Sequence, residues 1–198
     1  MGQKNYNDLL AINRNKIDNY IQLLLKWNNR INLIGKSTID DLWNRHIVDS
    51  AQLINFLTDE EIKNAVCADF GSGAGFPGII LSMLGLKHMT LIEKSIQKCN
   101  FLREAIKFSD NKIDIINKNI FEVKNQKYDV IFSRALANLN DLLTMVKPFV
   151  KSGTRCIFLK GRRVKEEIEE AKRCYSFDFE LFDSVTSVDG KVVIISFL

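Results

Sequence analysis

Hydrophobic residues in the first sixty positions recur at the three- and four-residue spacing of amphipathic helices. Residues 8–29 and 37–58 both show such an apolar stripe, with charged side chains between the apolar positions. A hydroxyl side chain, Ser37 or Thr38, precedes the second stripe, as is typical of a helix N-cap. The pattern therefore predicts an N-terminal helical cap formed by residues 1–60.

From residue 61 onward, short apolar runs alternate with amphipathic segments, which indicates strands alternating with helices. Such alternation predicts a parallel sheet with right-handed crossovers, and the last two runs, joined through Asp189-Gly190, predict a hairpin. We therefore expect an α/β fold for residues 61–198, a Rossmann-like seven-stranded, mostly parallel sheet that ends in an antiparallel hairpin. This ending is expected of class I S-adenosylmethionine methyltransferases rather than of dinucleotide-binding proteins. The predicted strands cover residues 65–70, 87–92, 113–116, 128–132, 155–159, 177–185 and 192–197.

Composition places few further limits on the chain. The 28 basic and 24 acidic residues give a formal charge of +4, which permits a nucleic-acid partner without requiring one. Four scattered cysteines without a C-x-x-C pair favour a reduced, cytoplasmic protein without a disulfide framework or a metal site. The longest apolar run, residues 76–86, is too short to span a bilayer. We expect no membrane association and a monomer.

A glycine-rich segment follows the first predicted strand. Gly71, Gly73 and Gly75 permit positive φ angles and let a ligand approach the backbone closely. Pro77 suits the first position of a helix, whose free amides would then face a polar or anionic ligand. The segment predicts a binding site for a nucleotide-type cofactor.

Two cofactors compete for this loop. Residues 73–78 satisfy G-x-G-x-x-G, and Glu93 ends the second strand where a ribose-binding acid is expected, so a nicotinamide- or flavin-dependent oxidoreductase is one interpretation. Asp69, just before the glycines, favours S-adenosylmethionine, because a carboxylate attracts a sulfonium and an amino group but repels a pyrophosphate. Glu93 would accept hydrogen bonds from ribose hydroxyls in either case. Together with the hairpin, Asp69 favours methyl transfer.

Several segments together resemble one family, the bacterial 16S ribosomal RNA guanine-N7 methyltransferases, also called glucose-inhibited division protein B. The R-H-x-x-D-S segment and the S-R-A strand end are more specific than the glycine loop. The resemblance implies S-adenosyl-L-methionine-dependent methylation of guanine 527 in the 530 loop of 16S rRNA, with free rRNA or the small ribosomal subunit as partner. The resembling segments are Lys26-Trp27-Asn28, Ile31-Asn32-Leu33, Arg45-His46-Ile47-Val48-Asp49-Ser50, residues 69–78, Ser133-Arg134-Ala135 and Leu159-Lys160-Gly161.

The resemblance also assigns roles around the cofactor. Ile120 and Phe121 would border the adenine, and Arg134 would contact cofactor or target. Members of the family usually have an acidic residue where this chain has Phe121, with Glu122 next. Either the loop is shifted by one residue or the backbone recognises the adenine. The complete expected cofactor set is Asp69, Gly71, Gly73, Gly75, Phe76, Glu93, Ile120, Phe121 and Arg134.

Basic residues past the fifth strand are expected to contact RNA, because substrates of such sheets sit at the carboxyl edge. The alternatives are a solvated helix start for this cluster, a packed His46, and an Asp49 that merely pairs with Arg45. An RNA-binding protein without catalysis is a third functional interpretation, which Asp69, Glu93 and Arg134 argue against. The expected RNA-binding residues are Arg45, His46, Lys160, Arg162, Arg163 and Lys165.

The reaction implied by the family needs no general base. Guanine N7 already carries a lone pair, so transfer depends on aligning N7, the methyl carbon and sulfur. The chain also lacks the N/D-P-P-Y/F loop of many amine methyltransferases, and Ser133-Arg134-Ala135 takes its place. We therefore assign no catalytic base and regard Arg134 as the candidate for positioning.

Overall fold

The computed structural model describes residues 5–197 and contains one seven-stranded sheet. The strand order is β3-β2-β1-β4-β5-β7-β6, and every pair is parallel except the two that involve β7. The predicted α/β fold with a closing antiparallel hairpin is confirmed. The strands are β1 Val66–Phe70, β2 His88–Ile92, β3 Lys112–Ile116, β4 Val130–Arg134, β5 Arg155–Lys160, β6 Phe177–Asp183 and β7 Lys191–Phe197.

The order of the strands fixes where a ligand can bind. The chain leaves β1 toward β2 on one side, and β4 lies on the other side of β1. In open α/β sheets, ligands bind outside the carboxyl ends of the strands at such a reversal. The glycine loop after β1 and the Ser133-Arg134-Ala135 segment at the end of β4 therefore meet at the same edge.

Helices cover both faces of the sheet. The N-terminal helices, α5 and α6 share one hydrophobic cluster with the sheet, whereas α7 and α8 pack on the opposite face in a second cluster. The α-helices are α1 Tyr6–Ile12, α2 Arg14–Asn28, α3 Asp49–Ala51, α4 Asp59–Asn64, α5 Gly78–Met83, α6 Ile96–Ala105, α7 Leu139–Val146 and α8 Val164–Ala171. No helix within residues 5–197 is both long and apolar enough to cross a membrane.

The N-terminal region differs from the two long helices that the sequence predicts. The first is divided at Asn13, whose side-chain amide donates to the Leu9 carbonyl oxygen. The second begins later than predicted, and residues 42–56 pass without a break from a π-helix through α3 to a 3-10 helix instead of forming one regular α-helix. Several polar side chains of this region bond to other parts of the chain, as described below. The short segments are 3-10 Lys36–Thr38, π Trp43–Val48 and 3-10 Gln52–Phe56.

The predicted end of the second helix is the start of another one. Thr58 caps α4, and its hydroxyl accepts from the Glu61 amide while the Glu61 carboxylate accepts from the Thr58 amide. This reciprocal pair is a capping box, whose T-x-x-E signature is visible in the sequence. The predicted boundary between residues 60 and 61 thus falls inside α4. The division into a cap, 1–60, and a core, 61–198, remains a prediction, and residues 1–4 and 198 lie outside the described residues.

Candidate active site

The glycine loop adopts the conformation that its sequence predicts. Gly71, Gly73 and Gly75 have φ angles of 71°, 56° and 89°, in the region that favours glycine. A Cβ atom on Gly71 would lie 2.5 Å from the Cδ1 atom of Leu136, and one on Gly75 would lie 2.4 Å from that of Ile79. Both positions therefore exclude a side chain for steric as well as conformational reasons.

The end of this loop differs from the prediction. Pro77 is the N-cap residue of α5 rather than its first helical residue. The Gly78 amide does not face a ligand, because it donates to the Asp69 carboxylate at 3.1 Å. Asp69 therefore stabilises the conformation of the loop, and it lines neither of the two cavities at this edge of the sheet. Its other oxygen, Oδ1, is buried and has no hydrogen-bond partner among the described residues.

Burial gives Asp69 an unusual titration. Removal from water raises its pKa from 3.8 to about 7, against the smaller opposing effects of the Gly78 and Ser72 hydrogen bonds and Arg134. Above pH 4 an unfolded chain has released this proton while the folded protein still holds it. The stability that Asp69 contributes is therefore present in acid and is lost as pH rises toward 7.

Comparison with Asp69→Asn isolates this effect. The unfolding free energy of the wild type should fall relative to that of the variant by about 1 kcal/mol per pH unit between pH 5 and 6.5. This difference in unfolding free energy should become independent of pH above pH 8. His46 titrates in the opposite sense in both proteins and cancels in the comparison. Urea titrations of the ligand-free proteins measure it, and parallel pH profiles would contradict the assignment.

A cavity of about 320 Å³ opens beside the glycine loop. Glu93 lies in its wall, where its Oε2 accepts from the Gly73 amide at 3.0 Å and its Oε1 from the Ser95 amide at 2.8 Å. Each carboxylate oxygen keeps a second lone pair, so Glu93 can also accept from ribose hydroxyls. The wall is completed by Gly71, Ile92, Lys94, Lys98, Lys118, Asn119, Ile120, Phe121, Ala135, Leu136 and Met145.

Phe121 offers an apolar surface beside this cavity. Its side chain is 63% exposed, and its amide bonds to the Asn119 side chain. Glu122 is exposed and does not contribute to the wall. Phe121, and not Glu122, therefore borders this cavity, and its contact with the adenine remains a prediction.

A larger cavity of about 450 Å³ lies next to the first, and Ala135 belongs to both walls. It is bordered by the N-terminal region, the end of β4, the end of β5 and the loop between β6 and β7. Its wall residues are Thr38, Asp41, Arg45, His46, Asp49, Arg134, Ala135, Leu159, Lys160, Gly161, Glu167, Ser184, Thr186, Ser187, Gly190 and Lys191.

Arg134 lies in the wall of the larger cavity, next to the shared residue Ala135. Its guanidinium donates to the Arg45 carbonyl oxygen at 3.0 Å and lies 2.8 Å from His46 Nδ1 and 3.4 Å from Asp49 Oδ2. It also stacks over the Phe76 ring, with Cζ 5.0 Å from the ring centroid. Arg134 thereby connects the end of β4 to the π-helix and α3.

Phe76 and His46 have roles other than the predicted ones. Phe76 is buried, lines neither cavity and stacks against the His46 ring at 5.0 Å. His46 is also buried, and its second ring nitrogen lies 2.8 Å from Thr38 Oγ1. Burial, followed by the charge of Arg134, lowers the pKa of His46 to about 3, so the ring is neutral near pH 7. A neutral ring with both nitrogens occupied is unsuited to bind phosphate.

Lys160 also makes its contacts within the protein. Its ammonium group contacts Glu167 at 2.6 Å and the Ala137 carbonyl oxygen at 2.8 Å, and its side chain is only 8% exposed. Arg162, Arg163 and Lys165 are exposed and available to a partner. Arg45 is exposed as well, while Asp49 pairs with Arg134 and not with Arg45, the partner named in the alternative interpretation.

Sequence patterns did not reveal two contacts that support the site. Tyr20, in the apolar stripe of α2, donates its buried hydroxyl to the Ala74 carbonyl oxygen at 2.6 Å, tying the N-terminal region to the glycine loop. Leu136 lies over Gly71. Helical spacing marks Tyr20 only as a core residue, and no local signal marks Leu136.

The fold, with its closing antiparallel hairpin, is that of class I S-adenosylmethionine-dependent methyltransferases. Solved structures share the fold at low sequence identity. Magnesium protoporphyrin IX methyltransferase from Synechocystis PCC 6803, solved with bound S-adenosylmethionine, gives a TM-score of 0.64 at 11% identity over 89% of this chain and 95% of that chain. A ribosomal protein L11 methylase from Lactobacillus delbrueckii subsp. bulgaricus gives 0.62 at 20% identity over 75% and 76%.

The chain belongs to the rRNA small subunit methyltransferase G family, whose model matches residues 13–193. A ribosomal RNA small subunit methyltransferase G from Orientia tsutsugamushi (strain Boryong) is 42% identical over 172 residues, which cover 87% of this chain and 84% of the relative. One from Rickettsia felis is 39% identical over 181 residues, 91% and 92% of the two chains. The predicted family, enzyme class and cofactor are confirmed, and the oxidoreductase alternative is not supported.

Proposed function

We propose that this enzyme transfers the methyl group of S-adenosylmethionine to N7 of guanine 527 in the 530 loop of 16S rRNA. The match to the family over residues 13–193, which includes both cavities, carries this proposal. The names of the relatives specify the small-subunit RNA, and the target nucleotide comes from the resemblance described above. A monomeric state and a cytoplasmic location remain predictions.

The smaller cavity fits the cofactor. Gly71 leaves room for close approach, Glu93 can accept from the ribose, and Ile120 with Phe121 offers an apolar border for the adenine. Asp69 lies outside this cavity and supports it indirectly, because its carboxylate accepts from the Gly78 amide at the end of the glycine loop. When bound, S-adenosylmethionine supplies an electrophilic methyl group.

The larger cavity is suited to the target guanine. It meets the smaller cavity at Ala135, so a base within it would lie beside the methyl donor. N7 of guanine has a free lone pair, so the reaction does not need a base. His46, which is neutral and has a hydrogen-bond partner at each ring nitrogen, does not have to act as one.

A deletion strain tests the assignment of the target. Primer extension on its 16S rRNA should show loss of the modification at guanine 527. A plasmid encoding the wild type should restore it, whereas a plasmid encoding Gly71→Asp should not, because an aspartate there would project toward Leu136 in the cofactor cavity. Persistence of the modification in the deletion strain would contradict the proposed target.

The exposed basic residues should account for the electrostatic part of RNA binding. For the double variant Arg162→Ala and Arg163→Ala, the slope of log K against log salt should decrease by about 1 for each lost phosphate contact. Lys160→Ala should leave this slope unchanged and lower the unfolding free energy by about 3 kcal/mol, because Glu167 loses its buried partner. Filter binding to 16S rRNA at several salt concentrations measures the slope. An unchanged slope for the double variant would remove these arginines from the interface.

A further inference from the structure

Asp49 connects three distant parts of the chain at the wall of the larger cavity. Its Oδ1 accepts from the Thr186 hydroxyl at 2.9 Å and from the Gln52 side-chain amide at 3.0 Å, while Oδ2 lies 3.4 Å from the Arg134 guanidinium. The Asp49 side chain is largely buried. One carboxylate therefore joins α3, the end of β4 and the loop formed by residues 184–190.

This loop forms one side of the cavity and is anchored at its base. The Val185 amide donates to Gln52 Oε1 at 3.0 Å, and the Ser184 hydroxyl lies within hydrogen-bond distance of the Gln52 amide. Ser187 and Gly190 continue the wall, while the side chain of Val188 at the tip is 96% exposed. The position of the wall thus depends on contacts near residues 184–186.

Loss of the Asp49 carboxylate would release both sides of the cavity at once. Hydrogen bonds to an ionised carboxylate are about twice as strong as those between neutral groups. A surface loop that loses its anchors belongs to the least stable parts of a fold. Arg134 would keep Arg45 and His46 as partners but lose the Asp49 carboxylate. The distance between Arg134 and the loop would then no longer be fixed.

We propose that Asp49 is a positioning residue that fixes the distance between Arg134 and the loop of residues 184–190, and thereby aligns the target base. This role rests on the proposed function, because it assigns the larger cavity to the guanine. Asp49 lines the larger cavity but not the smaller one, so binding of the cofactor does not depend on it. Misalignment of the base by about 1 Å is enough to lower a rate about 100-fold.

Kinetics of Asp49→Ala, Thr186→Val and the double variant test the proposal with purified small subunits that lack the modification. Asp49→Ala should lower kcat about 10- to 100-fold. Isothermal titration should give a Kd for S-adenosylhomocysteine within about twofold of the wild type and a stoichiometry of one, because the cofactor cavity is intact. Thr186→Val should lower kcat less, and the double variant should be no slower than Asp49→Ala, since both remove the same contact.

Glu61→Ala is the matched control. Glu61 is a partly buried carboxylate that also pairs with an arginine, Arg155, and it lies outside both cavities. The Glu61→Ala substitution should lower the melting temperature but leave kcat unchanged. Equal loss of kcat in Asp49→Ala and Glu61→Ala, or additive effects of Asp49→Ala and Thr186→Val, would overturn the positioning role.

The outcomes also separate the two proposals. A wild type that binds S-adenosylhomocysteine but does not methylate guanine 527 would overturn the proposed function and the positioning role with it. An active wild type beside a fully active Asp49→Ala variant would overturn the positioning role alone.

Discussion

Replacing Gly71 with alanine is expected to weaken binding of S-adenosylhomocysteine about 10- to 100-fold, as an overpacked site costs about 1–3 kcal/mol. The added methyl group would lie 2.5 Å from the Leu136 side chain, which has to move. Leu136 borders the cofactor cavity, so its displacement takes up space that the ligand needs. Isothermal titration measures the loss directly.

Gly153→Ala separates this steric effect from backbone strain. Gly153 also has a positive φ angle, 83°, but among residues 5–197 no heavy atom beyond its immediate chain neighbours lies within 4 Å of an added Cβ atom. Both variants should therefore lose about 1–2 kcal/mol of stability from the left-handed conformation. Only Gly71→Ala should lose affinity for the ligand. Wild-type affinity in Gly71→Ala would mean that the cofactor does not bind against this loop.

Removal of the Arg134 side chain should lower kcat/KM for methylation by about 100-fold or more. Arg134 holds the Arg45 carbonyl oxygen, His46 and Asp49 together, and alanine would leave the Asp49 carboxylate without its cation. Arg134→Lys should restore little activity, because one ammonium group cannot reproduce a planar guanidinium with several fixed donors. Single-turnover assays with small subunits measure the defect.

Arg155→Ala controls for the loss of a partly buried ion pair. Arg155 contacts Glu61 at 2.8 Å, and it lines neither cavity. This variant should be less stable than the wild type and methylate at the same rate. If Arg134→Ala were no slower than Arg155→Ala, Arg134 would stabilise the fold without positioning the reactants.

Features that depend on local sequence were predictable. The seven strands and the closing hairpin follow from short apolar runs and turn residues, and the glycine loop follows from steric limits on φ. The T-x-x-E capping box before α4 is an equally local signal, but the apolar stripe of residues 37–58 predicts Thr58 as the end of the second helix. Where the sequence pattern is regular, such as in the second strand, the predicted residues 87–92 and the observed β2 nearly coincide.

Features that depend on contacts between distant residues were not predictable. The spacing of Arg45 and Asp49 indicates a pair on one helix, yet the structure pairs Asp49 with Arg134, which follows 85 positions later. The sequence indicates that Lys160 is a free basic residue, but in the structure it pairs with Glu167 of α8. Phe76 and His46 stack on each other because the π-helix lies over the glycine loop. Each of these roles depends on the three-dimensional arrangement of elements that the sequence lists separately.

In the proposed function, the two adjoining cavities bring a methyl donor and one guanine of 16S rRNA together. The most direct test is mass spectrometry of 16S rRNA fragments after small subunits from the deletion strain react with the purified protein and S-adenosylmethionine. We predict one added methyl group, found as 7-methylguanosine at position 527. A methyl group on another nucleotide, or none at all with a protein that binds S-adenosylhomocysteine, would contradict the account.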